Sequence, residues 1–206
     1  MGDPEPFLTV AERAAARFEI RGSEFVGRVA PVGSVAAAEA FVDRVREEDP
    51  DASHHVPAYR VPAGDGTGDL LREWSSDGGE PSGSAGKPAL NVLQQRDVRN
   101  VAAVVTRHHG GVKLGVGGLA RAYARGVKDA VDAAGVVETV PHERFEAVVD
   151  YDDSGTVRGI LESEGVEFDA EYGERAAFAV RVPVGDAAAL RDRLRSATSD
   201  RVAFDG

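Results

Sequence analysis

Residues Val101 to Thr106 read VAAVVT, a run with no charge and no turn former, and this run limits the fold most. A strand of this kind has no polar side to turn to water, so it belongs in a sheet covered on both faces. The segment that follows supplies one cover. Leu119, Ala122, Tyr123, Gly126, Val127, Ala130, Val131 and Ala134 recur at i, i+3, i+4, i+7, which predicts a long amphipathic helix ending at Gly135.

Upstream, FEIRGSEFVGRVAPV alternates apolar and polar residues and predicts a hairpin around the Gly22-Ser23 pair. Ser34 is placed to cap a helix with Val35, Ala38, Phe41, Val42 and Val45 on one face, stopped by the acidic run at Pro50. An extended segment from His54 to Pro62, a polar loop over Gly64 to Gly68, and a short helix around Ala89 to Gln95 complete the first part.

After Pro141 the composition changes. Fifteen acids face eight bases there, so this third of the chain carries seven of the eleven excess negative charges. Its pattern reads strand (Phe145 to Tyr151), helix (Gly155 to Ser163), strand (Glu167 to Tyr172), strand (Ala176 to Val182), helix (Asp186 to Ser196), strand (Arg201 to Phe204). That order, βαββαβ, is the ferredoxin-like split unit. The expectation is an α+β protein with domains at 1–140 and 141–206.

Composition excludes several classes. With no cysteine there are neither disulfides nor thiolate metal sites, which fits a reducing compartment. No apolar run approaches the roughly 20 residues of a spanning helix, and the MGDPEPF start lacks the features of a secretory signal, so a cytoplasmic protein without a membrane partner is expected. The net charge of -11 with only three lysines also fits a halophilic proteome, in which carboxylate surfaces keep proteins hydrated.

Against that acidity stands one basic segment. From Ser82 to Lys128 the only carboxylate is Asp97, set against Lys87, Arg96, Arg99, Arg107, Lys113, Arg121, Arg125 and Lys128. An island of one sign marks where a ligand of the other sign docks. Glycines let a backbone approach a phosphate closely, and a helix start offers free N–H groups. The candidate anion- or nucleic-acid-binding residues are therefore Lys87, Arg107, Gly110, Gly111, Lys113, Gly115, Gly117, Gly118, Arg121 and Arg125. The alternative is that these glycines only make a tight turn and close helix packing.

Known phosphate motifs fail on spacing. A Walker A loop needs Gly at 81 and Ser or Thr at 88, where the chain has Pro81 and Pro88. Gly115, Gly117 and Ala120 fit GxGxxA but stand too far beyond the VAAVVT strand for a dinucleotide turn. In DGGEPSGSAGKP, Asp77 and Glu80 offer acid and base or metal ligands, and Ser82 or Ser84 a nucleophile, yet the same residues are common in turns. Adjacent histidines on an extended segment face opposite ways, so His54-His55 and His108-His109 each offer one ligand at most to a site. One from each pair with Asp77 or Glu80 would make a 2-His-1-carboxylate set. Neither a metal nor a cofactor is expected. Trp74 is placed to cap the core rather than to stack a base.

DGGEPSGSAGKPALNVL followed by NVAAVVTRHHGGVKLGVGGLARAY resembles the signature of the Impact family (YigZ-type), and the resemblance runs over the whole chain. It implies an N-terminal fold shared with the second domain of small-subunit ribosomal protein S-five and with domain four of elongation factor G. It also implies a ferredoxin-like C-terminal domain similar to the last domain of that factor. The family pattern falls on His54, Tyr59, Asp77, Glu80, Pro81, Ser82, Gly83, Ala85, Gly86 and Pro88, then Arg107, Gly110, Gly111, Lys113, Leu114, Gly115, Gly117, Gly118, Leu119, Arg121, Ala122 and Tyr123. Gly78 replaces an acid of the family loop, and His108-His109 an aromatic pair. The eukaryotic member regulates translation with an additional module, so its kinase-directed role is not carried over. Two functions follow as expectations. One is a non-catalytic RNA- or ribosome-associated protein, and the other an enzyme acting on a phosphorylated small molecule or nucleotide at the same loops.

Overall fold

The computed structural model describes residues 5–63 and 70–205, and the polar loop expected at Gly64 to Gly68 lies outside the described residues. Two compact units divide the chain, Phe7–Thr139 and the part from Val140 onward.

In the first unit a five-stranded antiparallel sheet has the order β2-β3-β6-β4-β5, with β2 at Ala14–Ile20, β3 at Ser23–Pro31, β4 at His54–Pro62, β5 at Leu71–Ser75 and β6 at Val101–His108. The apolar run becomes the central strand β6. Its Ala102 and Val104 pack with α1 (Val35–Glu48), while Val101, Ala103 and Val105 pack on the other face with α2 (Gly86–Gln95) and α3 (Gly115–Ala134). Burial on both faces is why the strand has no polar side.

α1 begins as its sequence dictates, with the Ser34 hydroxyl accepting the Ala37 amide at 3.1 Å and Ala38, Phe41, Val42 and Val45 buried. The β2–β3 turn sits one residue earlier than expected. Ile20 pairs with Ser23, leaving Arg21 and Gly22 as the two turn residues, at φ 50° and 77°. A two-residue hairpin loop with both φ positive follows the strands' right-handed twist, and Gly22 takes this conformation at no steric cost. Three strands escaped the sequence reading. The edge strand β5 carries alternating charge, and β1 (Phe7–Val10) with β7 (Val136–Thr139) form a separate two-stranded ribbon. Trp74 stacks on buried Tyr59 with ring centroids 5.3 Å apart, so it lids the core from the edge strand as expected.

The second unit has the expected order: β8 (His142–Val149), α4 (Tyr151–Glu164), β9 (Glu167–Tyr172), β10 (Ala176–Pro183), α5 (Val184–Ala197) and β11 (Ala203–Asp205). The sheet order β11-β8-β10-β9 is the ferredoxin-like arrangement, with Phe145, Phe178, Leu161 and Leu194 in a core shared with both helices.

Candidate functional site

α2 and α3 lie side by side and point the same way. Glu80, just before α2, meets Tyr123, and Arg96, at the end of α2, meets Asp132 one pair of turns further along α3. Both helices therefore begin at one end of the unit, where β6 delivers Arg107 and β4 begins with His54.

At that end Glu80 is the hub. Its Oε1 accepts from the Arg107 guanidinium at 2.8 Å and from the Tyr123 hydroxyl at 2.7 Å, and the side chains of Glu80 and Arg107 are only 3% and 5% exposed. Burial first, and then the Glu80 carboxylate, push the Tyr123 phenol above its usual value, so it stays a donor. Arg107 also donates to Ser23 Oγ at 3.2 Å, lies 3.0 Å from His109 Nδ1 and sits over the Phe25 ring. His54 donates Nδ1–H to the Gly78 carbonyl at 3.1 Å, which turns Nε2 toward Glu80 Oε1, 3.8 Å away. Gly110 completes the corner. Its amide donates to Ser23 Oγ, and a Cβ there would stand 2.0 Å from the Gly22 carbonyl oxygen.

The expectation for Arg107 is corrected by this geometry. Its guanidinium is interior and held by Glu80 and Ser23, so it ties β6 to β3 and to the loop before α2 rather than meeting a ligand at the surface. The paired histidines do face opposite ways: His55 contacts the Asp49 carbonyl and His108 the Asp49 carboxylate, across the sheet from His54 and His109. Burial there holds His55 below its usual value. Among the described residues no group of three or more His, Cys, Asp or Glu is placed to hold a metal.

The two glycine loops have different roles. Asp77 accepts from the amides of Gly83 (2.8 Å), Ala85 (3.0 Å) and Gly86 (2.8 Å), and this closes the loop from Asp77 to Gly86 and caps α2. Pro88, at the third helical position, has no N–H to satisfy. Pro81 accepts the Ser84 amide, and Gly86 lies so close to Ser76 that a Cβ would meet its carbonyl carbon at 2.6 Å. Ser82 and Gly83 are exposed, whereas Ala85 is in the core and the buried Ser84 hydroxyl has no partner. Of the two readings of Asp77, acid–base or metal ligand against turn former, the geometry favours the second, with the carboxylate capping α2. Burial opposes its ionisation, but the three N–H groups prevail and hold it below the usual aspartate value. Asp77→Ala should cost about 2 kcal/mol at pH 7, the upper end for a lost cap. A depressed folded pKa gives stability that is present above the unfolded value near 3.9 and lost as pH falls, so the gap between wild type and variant should close below about pH 4. Urea titrations at pH 7 and pH 3 check this, and a gap that stays constant contradicts it.

α3 starts differently. The glycines expected before the helix lie in its first turn, and Leu114, at the N-cap, contributes no side-chain bond. No acidic residue stands in that turn, and among the described residues no side chain accepts from the Gly115, Val116 or Gly117 amides. The cations of the basic segment divide in two. Arg96, Arg125 and Lys128 are paired with Asp132, Asp129 and Asp132, and Arg125 and Arg99 lie over Phe18 and Phe7. Lys87, Lys113 and Arg121 are exposed and form no ion pair among the described residues. These three flank the helix starts.

Residues 21–131 match the Impact N-terminal domain, and residues 148–201 match a domain of unknown function, DUF1949. The chain belongs to the Impact family. The family member YigZ of Escherichia coli is 34% identical over 92% of this chain and 92% of its own, and YvyE of Bacillus subtilis is 31% identical over 95% and 88%. A crystal structure described as that of a hypothetical protein is 31% identical, with a TM-score of 0.68 over 97% of this chain and 96% of that one. The two-domain translational regulator Yih1 is 27% identical with a TM-score of 0.37, covering 63% of this chain and 49% of that one, too low an overlap to carry an argument. Among the described residues of this family member no helix is long and apolar enough to cross a membrane.

Proposed function

We propose that this Impact-family chain is a non-catalytic RNA-binding protein of the translation machinery, working in the cytoplasm and holding phosphates at the start of α3. One observation supports this most. Lys113 and Arg121 stand at the start of α3, which presents an uncapped N-terminus, and Lys87 stands at the start of the neighbouring α2; within the basic segment these are the exposed cations without ion pairs among the described residues. The free amides and the positive helix end favour an anion, and the glycines leave its approach open. Phosphate contacts of this kind give affinity without sequence preference.

The test is co-sedimentation with ribosomes, comparing wild type with Lys87→Ala/Lys113→Ala/Arg121→Ala. Because none of the three is buried, the variant should unfold within about 1 kcal/mol of wild type. Its association should be lost, and the dependence of log K on log salt for RNA should flatten by roughly 2, about 0.7 per phosphate contact. Undiminished association by the triple variant overturns the reading.

His54 beside Glu80 favours a second reading, an enzyme on a phosphorylated small molecule, since a histidine–carboxylate pair can carry a proton. Arg107 and Tyr123 already occupy the facing Glu80 oxygen, which weakens that role. Binding of phosphorylated metabolites without any ribosome association would favour it.

A further inference from the structure

The loop entering α3 sorts its apolar residues by direction. In VKLGV, Leu114 packs against the main core, while Val112 and Val116 on either side remain 48% and 59% exposed. Their surroundings are bare. Gly111 and Gly115 have no atom within 4 Å of where a Cβ would stand, and Gly117 has only the tip of Arg121 near it. Within the basic segment from Ser82 to Lys128 these are the two large apolar side chains left exposed among the described residues; they flank Lys113, and Arg121 follows five residues after Val116. The fold does not use them: Leu114 already anchors the loop.

From this we infer that the Val112–Val116 knuckle contacts nucleobases of an unpaired RNA strand, while Lys113, Arg121 and the first amides of α3 hold the adjoining phosphates. The inference rests on the RNA reading above and narrows its ligand. An apolar pair beside two cations without ion pairs, Lys113 and Arg121, matches a ligand that alternates apolar base faces with negative charge. An RNA duplex offers the cations their phosphates but keeps its base faces stacked inside, so the valines gain nothing from it. An inorganic polyphosphate offers charge alone.

The test titrates three probes at one salt concentration: an unstructured RNA 20-mer, a duplex of the same length and inorganic polyphosphate. They are offered to wild type, to Val112→Ser/Val116→Ser and to Lys113→Ala/Arg121→Ala. Wild type should bind the unpaired strand more tightly than the duplex. The serine variant should lose about tenfold for the unpaired strand, the apolar area of two valines, and nothing for polyphosphate, whereas the alanine variant should weaken on all three. Serine-variant binding equal to wild type on the unpaired strand overturns the inference and leaves the RNA reading intact. So does a wild type that binds duplex equally well. Binding of polyphosphate but neither RNA sinks the RNA reading itself. Ribosome association that survives nuclease yet is lost in the serine variant assigns the knuckle to a protein partner and overturns the inference by that route.

Discussion

Replacing Glu80 by alanine is expected to remove a large share of the stability of the first unit. The substitution leaves the Arg107 guanidinium buried with no counter-charge and the Tyr123 hydroxyl with no acceptor. Breaking a buried pair from one side costs about 3–5 kcal/mol, against a total of about 5–15 kcal/mol for a domain. Arg107→Ala should behave similarly, because it strands the carboxylate instead. Tyr123→Phe removes one donor while the pair survives, and should cost only about 1 kcal/mol. The double variant Glu80→Ala/Arg107→Ala should be more stable than the two single losses added together, since neither charge is then left alone. Urea unfolding followed by circular dichroism measures all four. A loss under about 1 kcal/mol for Glu80→Ala would show that the hub does not hold β6, α2 and α3 together.

Gly27→Ala is the second large effect. Gly27 lies on β3 under α3, and a Cβ there would stand 2.0 Å from the Gly126 carbonyl oxygen and 2.6 Å from its carbon. Both contacts are backbone, so no side chain can rotate away. Gly126 in turn rests on Val105 of β6, where its own Cβ would come within 2.8 Å of a methyl carbon. The helix has to lift off the sheet, opening the core that contains Phe25, Val29, Val105 and Tyr123. Overpacking of this kind costs about 3 kcal/mol, and in a unit of this size it lowers the melting temperature by about 10 °C. Gly33→Ala, with nothing within 4 Å, is the control and should stay within about 0.5 kcal/mol of wild type. Equal melting temperatures for the two variants would mean that α3 can ride further from β3 than the packing indicates.

Both predictions depend on residues whose importance local pattern shows unevenly. Gly126 already stood on the apolar face of the helix, and its spacing gave that much. Its partner Gly27 looked like one more strand residue, because nothing in a strand's alternation tells which position another backbone will touch. Likewise Arg107 read as one of several surface cations. Alternation along β6 would have placed it on the same face as Val105, inside, and so exposed the error. β1 and β7 are four residues long and β5 five, too short for alternation to announce strands.

For the candidate site the basic segment was legible as a whole, but its members were not. Arg96, Arg125 and Lys128 are neutralised by Asp129 and Asp132, which follow the segment, and composition alone does not pair them. The two glycine loops looked alike until Asp77 was seen to occupy the amides at the start of α2, leaving only α3 open.

The sequence by itself determined the elements and their class: a strand covered on both faces, the long helix after it, the Ser34 cap, the βαββαβ order, and the family signature. Periodicity and capping are local, and they act through neighbours a few residues apart. Tertiary structure alone decided which charges are paired, which glycines are contact points and which helix start stays open. Those properties depend on atoms brought together from distant parts of the chain, such as Glu80 with Tyr123 and Gly27 with Gly126, and burial sets their energies.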